Sequence, residues 1–253
     1  MKGINRYFLE ISYDGTAYHG WQVQPNATSV QEKLHGALHT FLREETETIG
    51  AGRTDTGVHA RQLFVHVDSD HPLLQNDPAK CVHALNALLP FDIAIHRIIP
   101  VHTDAHARFD ATERSYEYHI HFEKNPFLVN RSTLLRDKPD ILKMNKACAH
   151  LLGTKDFTCF SKSNTQVFTN ICTIKEARWV ESKTGMVFHV TADRFLRNMV
   201  RAIVGTLLEV GLKGKPIAYL DEVIASQNRS KAGVSVPAHG LYLTKIVYPY
   251  IQQ

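Results

Sequence analysis

Residues 50–60, Gly-Ala-Gly-Arg-Thr-Asp-Thr-Gly-Val-His-Ala, set one carboxylate, Asp55, between two threonines, with Arg53 just before it and glycines on either side. Such a stretch suits neither a helix nor a packed strand. It reads in two ways. As a turn, its Asp and Thr side chains satisfy local backbone groups. As a site, the tandem of Arg53 and Asp55 offers a nucleophile or base with a cation beside it, on a loop whose glycines admit a close approach.

A second candidate is Asp193-Arg-Phe-Leu-Arg-Asn-Met-Val-Arg-Ala-Ile-Val-Gly205. On a helix, Arg194, Arg197, Asn198 and Arg201 would share one face while Leu196, Val200, Ile203 and Val204 serve the core. That stripe is either the wet side of an amphipathic helix or a surface for phosphates or a buried carboxylate. In Arg-Ser-Tyr-Glu-Tyr, residues 114–118, Tyr116 and Tyr118 lie two apart on a strand and point the same way. They suit packing, or stacking on a nucleobase. His119 with His121, and His102 with His106, have ligand-like spacing, but no acidic or cysteine partner follows in a recognised order, so no metal site is expected. The absence of a phosphate-binding glycine loop and of a G-x-S-x-G elbow excludes the nucleotide hydrolase and serine hydrolase patterns.

The elements that must hold these residues follow from periodicity. Arg6 to Gly15 reads as a strand ending in an Asp-Gly turn. Ser29-Val-Gln-Glu32 is a capping box, followed by Val30, Leu34, Leu38, Phe41 and Leu42 at helical spacing, which predicts a helix over 30–43. A short strand over 47–51 leads into the Asp55 loop, and Arg61 to Asp68 alternates as a strand with Leu63, Val65 and Val67 on one face. Asp77-Pro78 caps a helix resting on Val82, Leu85, Leu88 and Leu89 and stopped by Pro90, and residues 92–99 form a strand. The order is β-α-β-β-α-β, the ferredoxin-like plan. It repeats loosely as a strand at 114–123, a helix at 140–152, strands at 171–182 and 185–193, helices at 195–211 and 216–227, and a strand at 240–248. The expected fold is α+β: two ferredoxin-like halves, 1–104 and 105–253, joined into one extended mixed or antiparallel sheet with helices on its faces.

The 253 residues are 43% hydrophobic and 21% charged, a globular balance with material for a sizeable core. A net charge of +4, with 15 histidines in reserve, mildly favours an anionic partner such as nucleic acid. Cys81, Cys148, Cys159 and Cys172 show no CxxC spacing and no apolar leader follows Met1, so a reduced, cytoplasmic protein is expected. No run reaches the roughly 18 apolar residues of a membrane span.

Together, the segments YDGTAYHGWQVQP, SVQEKL, GAGRTDTGVHA, LNALLP, HARFDATERSYEY, FLRNMVRAIVGTLLEVG and AGVSVPAHGLYL resemble, in order and spacing, the TruA family, the tRNA pseudouridine synthases A. Thr56 stands where alanine is more usual, and Arg197-Asn198 where aromatic or histidine residues are frequent. The resemblance implies an isomerase that converts uridine to pseudouridine at positions 38, 39 and 40 of the tRNA anticodon stem-loop. It assigns Asp55 as nucleophile, Tyr116 as the residue stacking on the uracil, and Arg201 as the partner of the Asp55 carboxylate. Leu243 would line the base pocket, and Arg53 would position the loop or help move the base. It further implies a homodimer, and no cofactor, since the reaction gains and loses no atoms. Asp55 adds to C6, attacks C1', or assists loss of the C2' proton; the residues do not choose. A non-catalytic RNA-binding module is the competing reading, which accounts for charge and aromatics but not for Arg53 and Asp55 in one loop.

Overall fold

In the computed structural model, residues 5–162 and 168–252 are described. They form a mixed α+β protein that divides into two compact units, Met1–Thr112 with Leu243–Gln253, and Glu113–Tyr242. The first boundary falls after Thr112 where the sequence suggested residue 104, and the chain's last segment returns to the first unit.

In the first unit the elements run β1 (Asn5–Tyr13), α1 (Val30–Leu42), β2 (Thr48–Gly50), β3 (His59–Ser69), α2 (Pro72–Asn76), α3 (Pro78–Leu88) and β4 (Ile93–Val101). This is the expected β-α-β-β-α-β order with one short helix added. The strands lie in the order β4-β1-β3-β10, where β10 is Leu241–Val247, and β2 pairs with β3. β1 runs antiparallel to both neighbours, setting Leu9 opposite Val65 and Ile98.

Leu63, Val65 and Val67 lie buried on one face of β3 as expected, and Phe64 and His66 on its other face are buried as well. One face collects Phe8 and Phe64 against Tyr248, both at 5.2 Å and edge-on. The other carries Leu9, Ile11, Leu63, Val65 and Val67, while α1 and α3 contribute Leu34, Leu38, Cys81 and Leu85 to the core. Each such side chain taken fully from water contributes about 1.5–3 kcal/mol. In α3, Leu88 is exposed and Cys81 takes the buried position, so the predicted stripe is narrower than expected.

The second unit runs β5 (Glu113–His121), β6 (Thr133–Leu134), α4 (Ile141–Cys148), β7 (Gly153–Asp156), β8 (Ile171–Glu181), β9 (Gly185–Ala192), α5 (Met199–Leu212) and α6 (Tyr219–Ser226). Its strands lie in the order β5-β9-β8-β7, antiparallel throughout, and β6 adds parallel to β5. All four cysteines are buried thiols, and burial pushes Cys148, Cys159 and Cys172 up to about 12, which removes the reactive thiolate. Among the described residues, no helix is long and apolar enough to cross a membrane.

Candidate active site

The Asp55 loop begins where β2 ends and closes where β3 starts. Ala51 N–H donates to Phe64 O at 2.8 Å, tying the loop's entry to β3. Val58 N–H donates to Asp55 O at 3.1 Å, so Asp55 itself opens a turn, and Gly57 follows at φ 76°. Asp55 is half-buried and Arg53 exposed.

A second segment, Asp14–Trp21, braces this loop from the side. Gly57 N–H donates to Tyr18 O at 3.2 Å, and Trp21 N–H to Thr54 O at 3.4 Å. The hydroxyls of Tyr13 and Thr54 are 2.8 Å apart. The contact is close because Gly20 has no side chain: a Cβ there would stand 2.3 Å from Thr54 O, and its φ of +89° disfavours other residues as well. The glycine that admits a close approach therefore lies outside the loop it serves.

Gln31 locks this scaffold to the helix. It is buried on α1, donates from Nε2 to Thr48 O at 2.9 Å, and accepts at Oε1 from Val23 N–H and the Gln22 amide at 3.0 and 2.8 Å. A buried amide with donors and acceptors satisfied fixes geometry that an apolar residue would leave loose. Leu243, on β10, is buried, with 2% of its surface exposed.

In the second unit, Tyr116 is half-buried on β5 opposite Val190 of β9. Its ring meets Phe195 edge-on, centroids 5.1 Å apart and planes at 86°. Tyr118 is fully buried, and its hydroxyl bonds Thr133 Oγ1 at 2.7 Å and donates to Pro237 O at 2.9 Å. The two tyrosines therefore differ: Tyr118 belongs to the core, while Tyr116 keeps part of its ring accessible.

The predicted cationic stripe is corrected. α5 starts at Met199, because Asn198 adopts a left-handed conformation at φ 68° and its amide donates to Ser235 Oγ at 2.6 Å. Arg194, Arg197 and Asn198 precede the helix, and of the four only Arg201 lies on it. Arg201 is half-buried, donates from Nε to Val236 O at 2.7 Å, and accepts at its carbonyl from Val236 N–H at 3.2 Å. Gly205 lets that segment lie against α5, since a Cβ there would fall 1.8 Å from Val234 O. The guanidinium thus donates to the backbone of the same residue, Val236, that the Arg201 main chain is tied to.

Within the first unit, then, Arg53 and Asp55 share one braced loop; in the second, Tyr116 and Arg201 sit on β5 and α5. Sequence reasoning did not single out Tyr13, Gln31, Gly20 or Phe195. Their signal was present in the segments YDGTAYHGWQ, SVQEKL and RFLRNMVR, but not as chemistry, since none carries a reactive group suited to the reaction.

The chain is 50% identical over 247 residues to tRNA pseudouridine synthase A of Bacteroides fragilis, covering 97% of both chains. It is 50% identical to the same-named protein of Porphyromonas gingivalis over 96% of this chain and 97% of that one. The likeness extends to Clostridium kluyveri, whose tRNA pseudouridine synthase A is 40% identical over 98% of this chain and its own full length. A family model described as tRNA pseudouridine synthase matches residues 11–110 and 147–249, which include the Asp55 loop, the bracing segment and α5. With matches of that extent running through both units, the chain belongs to the tRNA pseudouridine synthase family.

Proposed function

We propose that the protein isomerises uridine to pseudouridine at positions 38, 39 and 40 of the tRNA anticodon stem-loop, with Asp55 as the catalytic nucleophile. The isomerase class and the uridine substrate follow from family membership. The observation that best supports the role of Asp55 is its setting: a half-buried carboxylate opening a turn whose backbone is tied to Phe64, Tyr18 and Trp21.

The reaction breaks the bond from N1 to C1', turns the uracil, and joins C5 to C1'. Atoms balance without a co-reactant, so the protein's task is to hold a carboxylate ionised near the sugar while the base turns. A neighbouring guanidinium favours the charged form of a carboxylate; Arg201 is the residue assigned that part. A uridine stacked in a stem must leave it at a cost of a few kcal/mol, and stacking on Tyr116 returns about 1–3 kcal/mol. Leu243 offers an apolar wall to the base, and Arg53 steadies the loop or the displaced base. A homodimer working in the cytoplasm completes the proposal.

Asp55→Asn keeps the side chain's size and removes its charge. The expected outcome is a folded variant that still binds unmodified tRNA transcript and forms no pseudouridine, read by mass spectrometry after chemical tagging. Wild-type product from Asp55→Asn would overturn the nucleophile assignment. Failure of substoichiometric wild-type protein to convert any uridine would favour a pure binding protein. Mapping the tagged positions tests 38, 39 and 40 directly.

A further inference from the structure

Beside the Asp55 loop, the first unit contains a cavity of about 210 Å³ whose lining includes Trp21, Gln22, Gln31, Gly52, Arg53 and Arg108. Two of its lining residues are arginines, and none of them is a carboxylate. Gly52 keeps the space open, for a Cβ built there meets nothing within 4 Å.

Arg108 is brought here by a turn, not by a regular element. His106 Nδ1 accepts from the backbone N–H of Arg108 at 3.1 Å and of Phe109 at 3.3 Å, and Asp110 Oδ2 accepts from His106 N–H at 2.7 Å. The Arg108 guanidinium carbon lies 5.7 Å from the centroid of the Phe109 ring. Stem and head group are thus both guided before any ligand arrives.

We propose that this cavity is a phosphate subsite, in which Arg53 and Arg108 together grip one backbone phosphate of the RNA close to the target nucleotide. A guanidinium pairs two donors with two phosphate oxygens, and two of them can hold a single phosphodiester from different sides. The Gln22 amide, already oriented by Gln31, lies in the same lining. The subsite rests on the RNA substrate proposed above. It assigns Arg108, which the sequence did not single out, as a substrate-binding residue that registers the RNA backbone against the loop carrying Asp55.

The test measures binding of an unmodified anticodon stem-loop transcript to wild type, Arg108→Ala and Arg108→Lys across a range of salt concentrations. Arg108→Ala is expected to weaken binding about tenfold and to flatten the slope of log affinity against log salt by about 0.7–0.9, the value of one lost phosphate contact. Arg108→Lys should keep the slope and lose part of the affinity, since a point charge replaces a fork. Inorganic phosphate, added at constant ionic strength, should compete with RNA on wild type more than on Arg108→Ala. An unchanged slope in Arg108→Ala overturns the proposal, whether affinity is retained or falls with melting temperature; competition by phosphate without any change in RNA binding overturns the RNA assignment and leaves a small-anion site. Pseudouridine formed by wild type from the same transcript is scored separately. Failure of the isomerase reading and failure of the subsite therefore give different results.

Discussion

Thr54 contributes more to the site than its neutral side chain suggests. Its hydroxyl meets Tyr13, its carbonyl accepts from Trp21, and that same carbonyl fills the space beside Gly20. Every one of these contacts fixes the residue next to Asp55, so loosening Thr54 changes where the carboxylate stands without touching its charge. Thr54→Val preserves shape and removes the hydroxyl. About 1 kcal/mol of stability should be lost, read by denaturant unfolding. The single-turnover rate should fall about tenfold or more while tRNA affinity stays near wild type, because misplacement by a fraction of an ångström weighs on the reacting geometry and not on backbone contacts. Tyr13→Phe should give a similar loss, and the double variant should be little worse than either, as expected for two ends of one bond.

At the scale of elements, α1 is a direct product of its sequence. Ser29 Oγ accepts from Glu32 N–H at 3.2 Å, Ser29 N–H donates to Glu32 Oε2 at 3.3 Å, and the buried positions follow the predicted period. Ser29→Ala should destabilise the protein by about 1 kcal/mol, within a range of about 0.5–2, measured as a shift in the urea midpoint at constant slope. Because Gln31 on this helix also holds Gln22, Val23 and β2, the loss should be accompanied by faster amide exchange in the segment around Trp21.

Elsewhere the sequence was legible only in part, for identifiable reasons. The succession of elements in the first unit was readable because each carried its own period and stop signals. α5 was misjudged at its start because apolar periodicity continues through Leu196, whereas the backbone turns at Asn198 under the pull of Ser235, a contact made across 37 residues. Burial of the second face of β3 was not legible: His66 is a polar residue, yet its Nδ1 accepts from Ala107 N–H at 3.0 Å and the ring is buried. The types of the site residues were visible; what holds them still was not, because Tyr13, Gln31 and Phe195 act through packing and hydrogen bonds that only the folded chain brings about.

For the molecule as a whole, His66 sets a response to acid. Burial, reinforced by Arg6 and His106, pushes its imidazole down from the usual 6.5 to about 4. Asp68 and Asp110 oppose that shift, and Asp68 is itself held low by its bond to Arg6. A base whose pKa is lower in the folded state binds fewer protons there than in the unfolded chain. Stability is therefore fully present above about 6.5 and is lost as the pH falls from there toward about 4. The loss attributable to His66 is on the order of 3 kcal/mol. His66→Gln offers an amide oxygen to Ala107 N–H and does not titrate, so the fall in melting temperature between pH 6.5 and 4 should become shallower. A profile parallel to wild type would assign the acid lability to other groups, Asp68 first among them.

The return of residues 243–253 to the first unit has a consequence for how the protein is made. β10 lies beside β3, Val247 O accepts from Thr112 N–H, and Tyr248 seals the aromatic face over Phe8 and Phe64. A ribosome translates the first 112 residues long before it reaches that strand. Until residues 243–253 have been made, the nascent unit carries an open β3 edge and two uncovered phenylalanines, while the intervening unit already has all of its own strands but the start of β10. Synthesis thus finishes the later-coded unit before the earlier one, and the Asp55 loop becomes part of a complete body only after the other unit has been made.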